Sequence, residues 1–250
     1  MKIVTYSLHK QDAKYIPAWT EQWMSMVQPS VFHLTKFSCP GYVAYTTDLL
    51  ENSSSGACFM GAYEGTRLTG FIEYFMNEDG LFINNFAVSQ QDRGKGIGGR
   101  LLSDTFDIAR EQGVSQVQLD CFVWNDNALN LYKALGFQIR TNAYWHMIES
   151  PVADRDARQV NGFRAWDMYD GLSQITMDTD SGQVHMACLH RKYLRVITGG
   201  SGNLLQDHQL EEIVTVFPHC SLLIITPEPE WKCIFKAGLI STNVRMHKCL

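Results

Sequence analysis

The chain has 250 residues, 45% of them hydrophobic, and a net charge of −5 from 21 basic and 26 acidic side chains. Domains run to about 100–200 residues, so one large domain or two small ones are both open, and the apolar share is that of an ordinary globular core. The acidic balance argues against a nucleic-acid surface and suits a cationic amine as partner.

Residues 3–8 alternate and read as a first strand. Asp12 is placed as the N-cap of a helix through about Val27, with Ile16, Trp19, Trp23 and Val27 at helical spacing. Pro29, Pro40 and Gly41 mark a break, and residues 43–50 read as a short helix. Strand-like runs follow at 57–63, 68–76 and 81–88, separated by turn sequences at 64–66 and 77–80. This is an antiparallel meander. It leads into Gln91-Asp92-Arg93-Gly94-Lys95-Gly96-Ile97-Gly98-Gly99-Arg100, from which a helix runs over about 95–111. A strand at 114–123 follows, with Val117, Leu119 and Cys121 on one face, then a short helix at 127–134 and one or two strands within 137–148. Residues 151–162 are polar and read as a linker. Beyond them, strands are expected at 172–177, 184–189, 193–198, 220–226 and 239–247, with helices at 207–216 and 228–237.

Strand, glycine-rich turn and helix together hold a pyrophosphate. Glycines let backbone N–H groups approach the phosphates, and the helix N-terminus adds about half a positive charge. Gly94, Gly96 and Gly99 match the dinucleotide fingerprint in spacing, but a meander precedes them where that fold opens with a βαβ unit. The Gly-Lys-Ser/Thr ending of the P-loop is absent. Seven scattered cysteines form no Cys-x-x-Cys pair and read as reduced thiols. Eight histidines show no metal-ligand spacing, so no metal is expected. No run reaches transmembrane length and the first ten residues hold no signal-peptide core, so a cytoplasmic, membrane-free protein is expected.

Lys133-Ala134-Leu135-Gly136-Phe137-Gln138-Ile139-Arg140-Thr141-Asn142 is echoed by Lys236-Ala237-Gly238-Leu239-Ile240-Ser241-Thr242-Asn243. The order of elements before each also repeats, which points to a duplicated unit. The second copy has Pro227 opposite Asn125 and Ile234 opposite Tyr132, and its loop at 199–202 lacks the Arg/Lys decoration. It reads as a scaffold, a pocket wall or a regulatory site.

Two motifs give residues 57–148 a resemblance to the GNAT superfamily of acyl-CoA-dependent N-acetyltransferases. One is Gln91-x-x-Gly94-x-Gly96 directly after Phe86-Ala87-Val88, and the other is Asn125-x-x-Ala128-x-x-x-Tyr132-x-x-Leu135-Gly136-Phe137 downstream. Residues 1–56 resemble the family only in the order of elements. The resemblance implies a mixed α/β fold with a largely antiparallel central sheet. It places an acetyltransferase domain at 1–150, a linker at 151–162 and a degenerate GNAT-like domain at 163–250, in a monomer or homodimer. It further implies acetyl-CoA as co-substrate and a small-molecule or peptide amine as acceptor. Phe86, Ala87 and Val88 then line the pantetheine arm, and the amides from Arg93 through Gly94, Lys95, Gly96 and Ile97 to Gly98, with Gly99 beside them, hold the pyrophosphate. Lys95 or Arg100 meets the phosphates, Asn125 and Ala128 border the arm, and Tyr132 protonates the leaving thiolate.

A base must also take the amine's proton. Many members carry an acid on the strand before the glycine loop, where this chain has Asn84 and Asn85. Glu73, one strand earlier, is the substitute, acting directly or through water, with a solvated strand-face carboxylate as the competing reading. Asp120 is a weaker candidate. Trp19, Trp23, Phe32, Tyr42 and Tyr45 are either core or the wall of an acceptor pocket. Without a base, the chain would be an acyl-CoA-binding sensor or interaction module.

Overall fold

The structure is a computed structural model that describes residues 3–52, 56–77, 80–148, 163–179, 181–197 and 205–250. The expected linker at 151–162 and the second glycine run at 199–202 lie outside them. The strands are β1 (Ile3–Ser7), β2 (Ala57–Glu64), β3 (Arg67–Asn77), β4 (Gly80–Val88), β5 (Gln116–Phe122), β6 (Gln138–Ile148), β7 (Phe163–Tyr169), β8 (Leu172–Thr179), β9 (Gly182–Leu189), β10 (Tyr193–Ile197), β11 (Ser221–Thr226) and β12 (Ala237–Cys249). The helices are α1 (Tyr15–Val27), α2 (Pro29–Phe32), α3 (Tyr42–Glu51), α4 (Ile97–Glu111), α5 (Asp126–Ala134) and α6 (Asp207–Val216).

The chain divides into two compact units. Unit 1 takes residues 1–29, 43–141 and 244–250, and unit 2 takes 30–42 and 142–243. The chain passes between the units within two long strands, because β6 begins in unit 1 and ends in unit 2, and β12 begins in unit 2 and ends in unit 1. Residues 30–42, with Phe32 and Tyr42, also pack in unit 2, where the Gly41 N–H meets the Asp170 carbonyl at 2.7 Å.

In unit 1, β1 to β4 form the expected antiparallel meander and β5 joins β4 in parallel. The C-terminal part of β12 lies next to β5, and the Leu250 N–H reaches the Ser115 carbonyl at 2.9 Å. α4 buries Ile97, Leu101, Leu102, Thr105, Phe106 and Ala109, a helical stripe of the kind that docks on a sheet. Ile72, Leu81, Leu119 and Met246 belong to the same core. α1 covers the opposite face, where Trp19 stacks on Phe71 with ring centroids 6.1 Å apart. In unit 2, β7 to β10 form a second meander, β11 pairs β10 in parallel, and β6 pairs β11. Ile148, Leu194, Ile213 and Leu222 lie in its core.

Three local expectations differ. Asp12 does not cap α1. It ends a 3₁₀ turn and is buried, accepting a hydrogen bond from the Tyr63 hydroxyl at 2.9 Å, while Lys14 holds the cap position with no side-chain bond. Strand β7 was not expected at all. Residues 228–236 form no helix, and β12 begins at Ala237. Pro229 sits in the middle of Glu228-Pro229-Glu230, and a residue before proline is pushed to extended backbone. The second copy thus lacks a counterpart of α5.

Candidate active site

The site begins where β4 and β5 part. Their parallel pairing holds only at Leu81, Phe82 and Ile83, against Val117, Gln118 and Leu119. Beyond Ile83, β4 carries a bulge. Glu73 faces Asn85 and Tyr74 faces Ile83, so Asn84 is the extra residue. A bulge bends its strand and raises its twist, which turns β4 away from β5.

The register decides which backbone groups line this gap. The Ser89 N–H bonds the Thr69 carbonyl at 2.9 Å, so Ser89, Ala87 and Asn85 direct their polar backbone groups at β3. Phe86 and Val88 direct theirs the other way. Ala87, expected with them, has its backbone groups committed to β3. The Phe86 N–H is itself taken by the Asn85 side-chain oxygen at 2.9 Å, and the Val88 carbonyl accepts from Arg93 Nε at 3.4 Å. The Phe86 carbonyl and the Val88 N–H remain on the open edge.

That edge runs straight into the glycine loop. Gln91 lies in a 3₁₀ turn (Gln90–Asp92), and Gly94 and Gly96 both have φ of +76°, the left-handed region. Gly96 is the N-cap of α4 and supplies no side-chain cap, and the first intrahelical bond runs from the Arg100 N–H to the Gly96 carbonyl at 3.0 Å. The amides of Ile97, Gly98 and Gly99 therefore have no intrahelical acceptor. Gly98 has a packing reason to be glycine, since a Cβ there would stand 2.8 Å from Phe86 Cζ. Gly99 has none within the protein. Its φ is not left-handed, no atom lies within 4 Å of where its Cβ would be, and glycine is a poor helix residue. A group approaching the backbone from outside is what would exclude a side chain there.

Asp92, quoted in the motif but given no role from sequence, anchors the loop. It is 2% exposed, and its carboxylate accepts from Arg67 Nη1 at 2.6 Å, Ser89 Oγ at 2.6 Å and Lys95 Nζ at 2.8 Å. These donors, Arg67 first, hold its carboxyl below the usual carboxylate range. Lys95 is thus paired, and Arg100 is paired with Asp104 at 2.8 Å. Both cations keep more than half of their side-chain surface exposed, so an anion at the loop can reach them.

Beyond β5, Asn125 is the N-cap of α5. Its Oδ1 accepts from the Ala128 N–H at 3.3 Å, which leaves the side-chain NH₂ for another partner. Sequence reasoning gave this residue to a ligand alone; half of its hydrogen-bonding capacity is structural. Tyr132, about two turns further along α5, is 7% exposed and packs edge-on against Phe137 with centroids 5.7 Å apart. Its hydroxyl bonds no described residue. Burial first, and Cys121 second, raise its pKa, so the phenol keeps its proton.

The candidate bases fare differently. Asp120 is held by Arg245 from the C-terminal strand, Nε to Oδ1 at 2.6 Å and Nη2 to Oδ2 at 2.8 Å, which removes it from contention. Glu73 lies on the α1 face of β3 at 0% exposure, so it is no solvated surface carboxylate. Opposite it, the Asn85 side chain donates to Thr20 Oγ1 of α1 at 2.9 Å. One helical turn on, Trp23 lies 6.1 Å from Trp124, which follows β5 and stacks on Phe122 at 4.7 Å. Of the five aromatic residues named from sequence, Trp23 thus sits at the open end of the gap, and Phe32 and Tyr42 belong to the other unit.

Residues 20–137 match the sequence pattern of the acetyltransferase (GNAT) family. This stretch is a GNAT domain. A thialysine N-epsilon-acetyltransferase of Bos taurus is 32% identical over 92 residues, 34% of this chain and 54% of the relative. The chain spans about half the length of the curated relatives it matches. In fold the GNAT likeness extends over both units. A GCN5-related N-acetyltransferase from Sphaerobacter thermophilus covers 99% of the chain with a TM-score of 0.63 at 12% identity, and 95% of that protein is covered. A tandem GNAT protein from the clavulanic acid biosynthesis pathway covers 99% with a TM-score of 0.62 at 11% identity, and 98% of it is covered.

Among the described residues, unit 2 shows neither the strand gap nor the uncapped helix N-terminus found in unit 1. β10 pairs β11 along its whole length, from Tyr193 with Ser221 to Ile197 with Ile225. The N-terminus of α6 is closed by a capping box, in which Gln206 and Gln209 satisfy each other's backbone N–H groups. Among the described residues no helix is long and apolar enough to cross a membrane.

Proposed function

We propose that unit 1 moves an acetyl group from acetyl-CoA to a primary amine by direct transfer, and that unit 2 binds no cofactor. One observation carries the reading: the open edge of β4 leads without interruption to the uncapped N-terminus of α4. The Phe86 carbonyl and Val88 N–H suit the amide groups of a pantetheine arm lying as an extra strand. The amides from Arg93 to Gly99, with Lys95 and Arg100 beside them, suit a pyrophosphate. The room at Gly99 fits that occupant. Acetyl-CoA supplies an activated thioester carbonyl.

The chain's own groups then divide the proton work. Tyr132 holds a proton on its hydroxyl for the departing sulfur. The Asn125 NH₂ steadies the arm near it. Glu73 takes the proton of the amine, through water if the acceptor does not reach it. The acceptor is a small amine, and a thialysine-like one heads the screen, from the name of the Bos taurus relative.

One observation favours a second reading. Glu73 is fully buried and Asp120 is paired, so neither candidate base is an exposed, unengaged carboxylate, as suits a non-catalytic acyl-CoA-binding module. A screen of amines that follows thiol release from acetyl-CoA, with calorimetry of CoA binding beside it, separates the two. Thiol release with any amine establishes the transferase. CoA binding with no release across the panel establishes the binding module.

A further inference from the structure

On the α1 face of unit 1, two buried N–H donors have no hydrogen-bond partner among the described residues, Trp23 Nε1 and Asn84 Nδ2. Buried donors are nearly always paired in folded proteins, because leaving one unpaired costs more than a typical hydrogen bond contributes. Both belong to the same end of the site. Asn84 is the bulged residue next to Asn85, whose side chain donates to Thr20, and Trp23 follows Thr20 by three residues on the same face of α1. Trp23 also approaches Trp124 at the far side of the gap. The two donors therefore flank the open fork from above, on the side away from Tyr132, which is in the core with α4. Neither residue is fully buried as a whole, so a side-chain rotation turns either N–H onto a ligand in the fork.

We propose that Trp23 and Asn84 recognise the acceptor through an uncharged carbonyl oxygen beside its amine, which makes the acceptor an α-amino amide. This rests on the acetyltransferase reading above. Two neutral donors match a carbonyl oxygen. A free carboxylate is a poorer match, because α1 and β4 contain no basic residue, the Glu73 carboxylate stands across from Asn85, and Arg245, which lies over the Phe82 ring, is engaged by Asp120. Arg67, at the start of β3, is engaged by Asp92 and Glu64. The same carboxylate attracts the acceptor's ammonium group. Asn85, the neighbour of Asn84, stands directly across from Glu73, and opposite side chains of paired strands start about 5 Å apart, a spacing that suits amine and carbonyl on adjoining carbons, as in an amino-acid amide.

The test compares phenylalaninamide, phenylalanine and phenethylamine, which differ only in bearing an amide, a carboxylate or neither. In the CoA-saturated protein, the six tryptophans give six indole N–H signals, and Trp23→Phe identifies the one that belongs to Trp23. Phenylalaninamide is expected to shift that signal, and phenethylamine and phenylalanine to leave it in place. With acetyl-CoA, kcat/KM for phenylalaninamide is expected to exceed that for phenethylamine by about tenfold or more, as one or two buried hydrogen bonds allow. Trp23→Phe, and separately Asn84→Asp, should bring that ratio towards unity. An unmoved indole signal, an equal shift with phenethylamine or phenylalanine, or a ratio untouched by both substitutions overturns the proposal. An amide-specific shift with no thiol release from any amine upholds the recognition and removes the transferase reading instead.

Discussion

Gly99 offers a test in which stability and binding move in opposite directions. Replacing it with alanine puts a methyl group where no protein atom lies within 4 Å, on backbone that any residue adopts. Alanine is better than glycine in a helix by about 0.5–1 kcal/mol. For a protein of this size that raises Tm by about 1–4 °C. Gly98→Ala, one residue earlier, should do the reverse, because its Cβ meets Phe86 Cζ at 2.8 Å, and overpacking costs about 1–3 kcal/mol. If Gly99 exists so that a phosphate can lie against the first turn of α4, its methyl group displaces that phosphate. Losing one charge-assisted hydrogen bond, about 1.5–3 kcal/mol, weakens CoA binding by about ten- to a hundredfold. Thermal unfolding and calorimetric titration with CoA measure both quantities on the same preparation. A Gly99→Ala protein that is more stable and still binds CoA within about twofold of the unaltered chain would refute the reasoning, since nothing external would then require the glycine.

Other expectations are independent of that one. Tyr132→Phe should lower acetyl transfer by about a hundredfold or more, the usual worth of a positioned general acid, with CoA affinity kept in the same calorimetric titration. Asp92 has a lowered pKa in the folded state, so its stabilisation is fully present above the ordinary aspartate range near pH ~4 and is lost as pH falls through the folded value. Acid unfolding of Asp92→Asn, followed by circular dichroism, should therefore show a weaker pH dependence below that point, from a lower starting stability. Met246→Ala should destabilise unit 1 by about 2–5 kcal/mol, since Met246 is fully buried in the core with Leu101 and Leu119. Denaturant unfolding read through hydrogen exchange of α4 measures that loss.

The meander, the glycine loop, α4 and the Asn125/Tyr132 helix were legible because each is written in neighbouring residues. Alternation, helical stripes and glycine punctuation act over a few positions, and the motif spacing follows from them. Asp12 shows the limit of such reading, because a good capping residue was drawn instead to the Tyr63 hydroxyl, 51 positions away. Residues 228–236 show another, where a short helix was expected and none forms.

The sequence by itself therefore determined the family resemblance of residues 20–137, the glycine loop after β4 and the helix that carries Asn125 and Tyr132. The tertiary structure alone decided how the site opens and which groups are left to work in it. The break in pairing after Ile83 depends on one bulged residue, Asn84, set against a neighbouring strand. Asp120 was withdrawn by Arg245, 125 residues later, and the core of unit 1 was completed by the last residues of the chain. Such pairings are set by which distant strands meet in one sheet, and local periodicity carries no record of that choice.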